Sequence, residues 1–366
     1  MKIKVQKENL LKALQKVSNI IGSRTTLPVL GNVLMEAKEN TLTLTTTDLE
    51  LRMVTQLEAE VEEEGRTTLP AKKLLGLVAK FRGESISICS NENFHSEIKC
   101  GTASIMLLGL DPDDFPVQVD FVPQHTVKIK SSDLAGIIDK ISYSASIADS
   151  RKVLQGIFFS IRDGKITAVA TDGKRLALVE KMLDETAATD MGSDIIVTLK
   201  SATELKRIIE KDGDVSVEIG ENQITFRLDQ TVITSKLIEG TYPNYKQVIP
   251  PSFKKVVTVP CDQFVYAMEI LSVTLAETTS PTIKLTFKEN KLVFEANSNI
   301  GEGSESIDVE YADEEMSASF NPNFLLDPFK HLSADTVTLK INDVVSPIAI
   351  ESGDGFLYVI MPMRNK

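Results

Sequence analysis

Residues 2–17 read KIKVQKENLLKALQKV, and the pattern in this stretch decides the fold. Ile3 and Val5 alternate with lysines, which is the period-two pattern of a strand with one buried face. Leu10 and Leu14 then begin an apolar stripe with the spacing of an amphipathic helix. The stretch therefore predicts a strand that leads directly into a helix, which buries its stripe against a sheet.

The same strand–helix pattern occurs twice more in the chain. It returns as VKIKSSDL at 127–134 and as VTVPCDQF at 257–264. A second marker reads TTTDL at 45–49, VATDG at 169–173 and FEANS at 294–298. Further strand–helix starts follow at TLPAKKL (68–74), TLKSATE (198–204) and SFNPNF (319–324), and the first two copies end in aromatic–proline turns, DFP (114–116) and TYP (241–243). Markers that recur in one order indicate internal repeats.

Each repeat combines amphipathic helices with short alternating strands. The strands are bounded by Gly, Asn and Asp, as at the predicted turn 162–165, which is typical of antiparallel hairpins. Ser201 and Glu204 are predicted to cap a helix of the middle repeat. Helices packed on antiparallel sheets form an α+β architecture. We therefore expect an α+β fold of three tandem domains, at residues 1–120, 126–249 and 253–366.

Composition excludes several classes of protein. With 42% hydrophobic and 25% charged residues, the chain has an ordinary globular composition. No apolar stretch approaches the roughly 20 residues of a membrane span, and three cysteines without CxxC spacing favour a reducing compartment. The spacing of Cys89, His95 and Cys100 fits no common zinc pattern, and no phosphate loop or hydrolase motif occurs. We expect a cytoplasmic protein without membrane contact, metal, cofactor or catalytic residues.

The charge distribution points to nucleic acid although the net charge is −12. Basic residues gather on the exposed faces of the predicted helices of the first two repeats, whereas the third repeat has none between Lys255 and Lys284. Acidic residues gather in strands and turns. Phosphate contacts need such a basic face, although lysine and arginine are also good helix formers that solvate any exposed face. The candidate DNA-binding residues are Arg24, Lys12, Lys16, Lys72, Lys73, Lys80, Arg82, Lys200, Lys206 and Arg207.

The residues alone leave three functions open. The repeats and basic helices favour a scaffold that surrounds duplex DNA and holds its backbone without reading sequence. A repeat scaffold that binds only proteins is a second hypothesis. An enzyme that acts on a phosphorylated substrate at the basic helices is the third.

Four segments carry a resemblance to a known family. They read RTTLPVLGN (24–32), ATDGKRLA (170–177), YPNY (242–245) and YVIMPMR (358–364). In these segments, in length and in its ending, the chain resembles the β subunits of bacterial DNA polymerase III, the sliding clamps. The resemblance implies a head-to-tail homodimeric ring that encircles double-stranded DNA and has no catalytic site of its own.

The resemblance also implies partners and a place for them. A clamp loader would place the ring on DNA, and the DNA polymerase III alpha subunit, other polymerases, ligase and mismatch-repair proteins would insert short motifs into one cleft. The matching cleft residues are Leu154, Thr171, Gly173, Lys174, Arg175, Leu176, Pro243, Gln247, Val248, Val345, Val359, Met361, Pro362, Met363 and Arg364. Methionines suit varied apolar ligands, and Arg175 would supply a fixed polar edge.

Two positions depart from the family pattern, and one surface remains to be assigned. Gln247 stands where the family usually has arginine, and Lys174 where it usually has histidine, so motif preference differs from the family's. For the subunit interface, the resemblance implies that Ile105 and Leu107 of one subunit meet Ile270 and Leu271 of the other.

Overall fold

The computed structural model describes residues 1–22, 27–117, 121–183, 194–210, 212–275 and 280–363. These residues form two compact units. Unit 1 contains residues 1–134 and 200–237, and unit 2 contains residues 135–199 and 238–366.

The described chain consists of runs of strands separated by six α-helices. The helices are α1 (Lys7–Val17), α2 (Ala71–Lys80), α3 (Ser131–Ile141), α4 (Leu199–Ile208), α5 (Cys261–Leu275) and α6 (Pro322–Leu326). The first strands are β1 (Lys2–Gln6), β2 (Asn32–Lys38), β3 (Thr41–Thr47), β4 (Leu51–Glu58), β5 (Glu60–Glu63), β6 (Gly65–Pro70), β7 (Ser85–Ser90), β8 (His95–Cys100), β9 (Ala103–Leu108) and β10 (His125–Lys130). The later strands are β11 (Gly156–Arg162), β12 (Lys165–Thr171), β13 (Arg175–Met182), β14 (Ile195–Thr198), β15 (Asp214–Ile219), β16 (Gln223–Arg227), β17 (Thr231–Lys236), β18 (Lys255–Pro260), β19 (Ile283–Lys288), β20 (Lys291–Ser298), β21 (Gly301–Asp308), β22 (Met316–Phe320), β23 (Thr336–Ile341), β24 (Ile348–Ser352) and β25 (Phe356–Ile360).

Each unit holds two antiparallel sheets. Unit 1 has a five-stranded sheet in the order β5-β1-β7-β8-β9 and an eight-stranded sheet in the order β10-β15-β16-β17-β4-β3-β2-β6. Unit 2 has an eight-stranded sheet in the order β14-β11-β12-β13-β25-β24-β23-β18 and a four-stranded sheet in the order β21-β20-β19-β22. The predicted α+β class is confirmed.

The helices begin where the repeated pattern predicts them. In the described residues, α1, α3 and α5 follow β1, β10 and β18, while α2, α4 and α6 follow β6, β14 and β22. The stripe of α1 is buried at Leu10, Leu14 and Val17, and burial of one such leucine contributes about 1.5–3 kcal/mol to folding. None of the described helices is both long and apolar enough to cross a membrane.

The predicted helix cap in the middle repeat is wrong. Helix α4 begins at Leu199, so Ser201 is its third residue and lies buried inside the first turn. Glu204 accepts a hydrogen bond from Arg207 Nε at 2.8 Å instead of reaching back to a cap. The helix begins earlier because β14 runs into it without an intervening loop.

The eight-stranded sheets join successive repeats. In unit 1, β17 of the second repeat pairs with β4 of the first, with Thr231 opposite Thr55. In unit 2, β13 of the second repeat pairs with β25 of the third, with Leu176 opposite Val359. The compact units therefore cut across the sequence repeats, because strands of neighbouring repeats share one sheet.

Candidate functional sites

The basic residues of unit 1 fall into two groups. In the first group, Lys12 on α1, Lys72, Lys73 and Lys80 on α2, and Arg82 beyond α2 are exposed. Within the part of the chain that the structure describes, these five side chains form no ion pair. They are therefore available to a polyanion.

The second group is already engaged inside unit 1. Lys16 Nζ lies 3.4 Å from Glu210 Oε1. Lys200 Nζ donates to the Ile20 carbonyl oxygen at 3.0 Å and forms an ion pair with Asp48. Both lysines stay predicted DNA contacts, and a phosphate must first compete with a carboxylate for each of them.

Arg207 is engaged in the same way. Its guanidinium bonds to Glu204 and donates to the carbonyl oxygens of Gln15 and Lys16 at the end of α1. Lys206 beside it is half-buried. Exposed ion pairs contribute little free energy, so phosphates can replace these carboxylates, whereas the backbone contacts hold Arg207 in place. Arg24 lies outside the described residues.

The candidate cleft in unit 2 is built on a tight turn between β12 and β13. Thr171 Oγ1 donates to the Arg175 carbonyl oxygen at 2.5 Å. Asp172 Oδ1 accepts from the backbone N–H groups of Lys174 and Arg175 at 2.9 and 3.0 Å. Gly173 has φ +83°, in the left-handed region that glycine enters without strain. The turn brings the side chains of this segment to the start of β13.

The buried floor of the cleft comes from neighbouring strands. Leu176 on β13 lies opposite Val359 on β25, and both side chains are buried, as is Leu154. After β25 the chain stays beside the turn, because Met361 N donates to the Lys174 carbonyl oxygen at 3.1 Å. Met363 N donates to the Ser319 carbonyl oxygen at 2.7 Å. The first bond keeps the chain after β25 beside the turn, and the second holds Met363 beside β22.

The rim of the predicted cleft is more exposed. Pro243, Gln247, Val248, Val345 and Met361 are exposed, while Thr171, Pro362 and Met363 are half-buried and Gly173 and Lys174 are open to solvent. The structure thus supplies an apolar floor and an exposed apolar rim, which is the composition of a site for apolar side chains. Arg364 lies outside the described residues.

Arg175 does not form the polar edge that the sequence predicted. Its side chain is only 11% exposed, and Nε and Nη1 bond to Asp172 and Asp327 at 3.1 and 2.6 Å. Nη2 donates to the Tyr143 carbonyl oxygen at 2.5 Å, and the guanidinium lies 4.3 Å from the centre of the Phe324 ring. Arg175 therefore ties together three parts of unit 2, namely its own turn, the segment after α3 and the end of α6. Sequence spacing gave no signal for Asp327, which is 152 residues away.

Ion pairing keeps Arg175 charged. Burial alone lowers the pKa of its guanidinium, but the nearby acidic groups, among them Tyr358 and Asp327, outweigh burial and raise that pKa. The guanidinium is thus a permanent cation that needs its two carboxylate partners.

The predicted interface residues of unit 1 lie on an exposed edge strand. β9 ends the five-stranded sheet, and Ile105, Met106 and Leu108 are all exposed on it, with Met106 at 56% and Leu108 at 63%. Leu107 is half-buried. Met106 and Leu108 were not among the predicted interface residues, because their only signal was the unbroken apolar run IMLL.

The predicted interface residues of unit 2 differ from each other. Tyr266, Ile270 and Val273 form an exposed stripe with helical spacing on α5. Leu271 is only 4% exposed and packs within its own unit, near Gly303. The assignment of Leu271 to a contact surface is therefore wrong, because α5 turns this residue inward toward β21.

The cysteines and histidines do not form a metal site where they are described. Cys89 is exposed on β7 and Cys100 is buried on β8. Among the described residues, no group of three acidic, histidine or cysteine side chains is placed to hold a metal ion.

Comparisons with known proteins agree over the entire chain. The family models for the N-terminal, central and C-terminal domains of the DNA polymerase III beta subunit match residues 1–120, 128–244 and 246–364. A relative from Salmonella typhimurium, described as beta sliding clamp, is 33% identical over 370 residues, with all of both chains covered.

Two further matches show the same likeness. A beta sliding clamp from Escherichia coli is 32% identical over 370 residues, again with all of both chains covered. The crystal structure of the DNA polymerase III subunit beta from Pseudomonas aeruginosa is similar in fold, with a TM-score of 0.93, 31% identity and complete coverage of both chains.

Proposed function

The chain belongs to the DNA polymerase III beta subunit family, and we propose that it acts as a sliding clamp that holds a DNA polymerase on duplex DNA. The observation that carries this function is the family match over all three parts of the chain. A clamp works as a tether rather than as a catalyst. We accordingly assign the protein the role of a processivity factor without a catalytic site.

The proposed DNA contact rests on the exposed cations of α1 and α2. A basic face that meets phosphates gains affinity by releasing counterions, and it does so without distinguishing base pairs. The acidic surplus of the rest of the chain, which gives the net charge of −12, disfavours binding elsewhere on the surface. This division of charge suits a protein that must slide.

The proposed ring rests on two exposed apolar surfaces. The first is the terminal strand β9, and the second is the stripe of Tyr266, Ile270 and Val273 on α5, which packs beside the polar terminal strand β21. An uncovered apolar edge such as β9 invites aggregation unless a partner covers it. We assign the β9 edge of one subunit to the α5 stripe and β21 edge of another. Such a contact joins different surfaces of identical chains, and two of these contacts close a head-to-tail dimer.

The proposed partner site is the cleft around Leu176, Val359 and Met361. Its apolar floor suits the short linear motifs of the DNA polymerase III alpha subunit, the clamp loader, other polymerases, ligase and mismatch-repair proteins. Methionines at the rim accommodate different apolar side chains. Gln247 and Lys174 are both exposed, so they set motif preference from the rim.

A topological experiment tests the proposed function. The clamp is loaded by a clamp loader and ATP onto nicked circular DNA, passed over a sizing column in high salt, and then treated with an enzyme that linearises the circle. We expect retention before linearisation and release after it, because a ring is held by topology rather than by charge. Equal retention on circular and linear DNA would contradict the ring, and failure to bind either form would contradict the DNA contact.

The basic face makes a separate prediction about salt. Replacement of Lys72 and Lys73 by glutamine is expected to lower the slope of log affinity against log salt for linear duplex by about one to two, because each phosphate contact contributes about 0.9. The control replaces Lys288 and Lys291, exposed lysines on the β19–β20 hairpin, by glutamine. Fluorescence anisotropy measures the affinity of each variant for linear duplex at several salt concentrations. Equal slopes for the two variants would contradict the assignment of Lys72 and Lys73 to the DNA contact.

The cleft makes a prediction about peptide binding. Met361→Asp is expected to weaken binding of a clamp-binding peptide from the DNA polymerase III alpha subunit by roughly tenfold or more, because a charge then borders the apolar floor. Met182→Asp, at an exposed methionine on β13, is the matched control and should bind normally. Calorimetry reports the affinity, and an unchanged value for Met361→Asp would place the peptide elsewhere.

A further inference from the structure

A second cleft lies within unit 1, and no function proposed above uses it. It has a volume of about 150 Å³ and is lined among others by Thr47, Leu49, Arg52, Pro116 and Lys236. A cavity of this size holds a benzene-sized group. It is therefore large enough for a side chain but not for a folded partner.

This cleft occupies the same place in its sheet as the cleft of unit 2. Arg52 on β4 lies opposite Thr234 on β17, just as Leu176 lies opposite Val359 on the β13–β25 pair. In the repeat, Pro116 follows Phe115 as Pro243 follows Tyr242. Unit 1 thus carries a counterpart of the proposed peptide cleft.

The turns that lead into the two clefts are built alike. Thr47 Oγ1 donates to the Leu51 carbonyl oxygen at 3.0 Å, and Asp48 Oδ1 accepts from the Leu51 backbone N–H at 2.7 Å. Leu49 takes the place of Gly173 and has φ +77°, a conformation that is strained for leucine. Its side chain is nevertheless 48% exposed at the cleft. An exposed leucine kept in a strained turn is a feature that packing does not require.

The chemistry of the two clefts differs at their floors. Where the unit 2 cleft has Leu176 and Val359, this cleft has Arg52 and Thr234. Arg52 Nη1 donates to the Pro116 carbonyl oxygen at 2.8 Å. Within the described residues, Arg52 Nε is buried without a hydrogen-bond partner. A buried guanidinium with an unused donor favours an added anionic acceptor.

A second cation borders the cleft. Lys236 Nζ lies 3.1 Å from Glu50 Oε1, and both side chains are more than half exposed. Exposed pairs of this kind are weak, so Lys236 can leave Glu50 for a ligand anion. Burial lowers the pKa of Arg52 while Glu36 opposes this effect, and a bound carboxylate would stabilise its charged form.

We propose that the cleft between Arg52, Leu49 and Pro116 is a second docking site, which binds an acidic side chain flanked by apolar residues in a linear peptide of a partner protein. Leu49, Leu51 and Val117 would contact the apolar flanks. Arg52 would take the carboxylate as a two-pronged donor, after a small movement that exposes Nε. A bidentate arginine–carboxylate contact provides both affinity and orientation.

The test uses the full chain with labelled leucine and valine methyl groups. The probe is the peptide acetyl-Leu-Asp-Leu-amide, and the matched uncharged probe is acetyl-Leu-Asn-Leu-amide. We expect the Asp peptide to shift the methyl signals of Leu49, Leu51 and Val117 in NMR titrations. The Asn peptide is expected to bind roughly tenfold more weakly, because it loses the charge-assisted contact.

Variants assign the effect to Arg52. Arg52→Met should weaken binding of the Asp peptide to the level of the Asn peptide. Arg162→Met, at an exposed arginine of unit 2, should leave binding of the Asp peptide unchanged. If Arg52→Met disturbs folding, binding of the two peptides to Lys236→Met tests whether the cleft recognises the carboxylate. Lys236→Met is expected to weaken the Asp peptide and to leave the Asn peptide as it was.

Three results would overturn the proposal. Equal affinities of the two peptides would show that the cleft does not recognise a carboxylate. Unchanged binding of the Asp peptide by Arg52→Met would show that the cations do not bind it, and Lys236→Met gives this result where Arg52→Met does not fold. Stronger shifts of the same methyl groups by a short oligothymidylate would reassign the cleft to nucleic acid. Retention on circular DNA does not depend on this cleft, so these outcomes leave the sliding-clamp function untouched.

Discussion

A chain that carries Ile105→Asp is expected to sediment as a monomer at micromolar concentration, where the proposed ring predicts that the unchanged protein sediments as a dimer. Ile105 lies on β9, whose neighbours Met106 and Leu108 are also exposed. A carboxylate buried in that apolar contact costs roughly 3 kcal/mol or more, which raises the dissociation constant more than about a hundredfold. Sedimentation velocity measures the loss, and retention on circular DNA should disappear with the dimer.

The control for this prediction is another exposed residue on an edge strand. Val256 lies on β18, which ends the eight-stranded sheet of unit 2, and its side chain is exposed. Val256→Asp should leave the dimer and its retention on circles intact. A dimeric Ile105→Asp protein would show that β9 does not form the subunit interface. Dissociation of the Val256→Asp protein would instead assign the interface to β18.

Replacement of Arg175 by methionine is expected to lower the free energy of unfolding of unit 2 by roughly 3 kcal/mol, because two partly buried carboxylates then lose their shared cation. Asp172 and Asp327 both accept from the guanidinium, and their side chains are less than a quarter exposed. Methionine keeps much of the apolar packing against Phe324 but cannot neutralise either carboxylate. Denaturant unfolding monitored by near-ultraviolet circular dichroism measures the change.

A matched variant separates this effect from the loss of any arginine. Arg162 pairs with Asp194 at 3.0 Å, but its side chain is 60% exposed. Arg162→Met should therefore change stability by less than about 1 kcal/mol. Equal losses of unfolding free energy in the two variants would contradict the view that Arg175 stabilises unit 2 through its buried ion pairs. Partial rescue of Arg175→Met by Asp327→Asn would support it, since one orphaned charge is then removed.

Local pattern was sufficient to predict the class of fold and the starts of most elements. Alternation through β1 and helical spacing at Leu10 and Leu14 are properties of neighbouring residues, and the structure places a strand and a helix there. The repeat then extended this inference to β10–α3 and β18–α5. The failure at Ser201 is also local, because a strand that continues into a helix leaves no separate cap position.

Long-range pairing was not predictable from one sequence. Nothing near Arg175 indicates Asp327, and nothing near Lys200 indicates Asp48, since only the folded chain brings these charges together. A related limit applies to Leu271, which the family resemblance alone assigned to the interface. It follows Ile270 directly in α5, so the two side chains face different sides of the helix, and only the folded chain shows which side is exposed. Two candidate residues, Arg24 and Arg364, lie outside the described chain and stay predictions.

The joined sheet of unit 1 has a consequence for the newly made chain. Thr55 on β4 pairs with Thr231 on β17, and 176 residues separate them. At about 5–20 residues per second, the ribosome leaves β4 without this neighbour for roughly 10–35 s. During that interval an open strand edge is available to other nascent chains. We therefore expect slow translation to increase the fraction of the chain that is lost to aggregates.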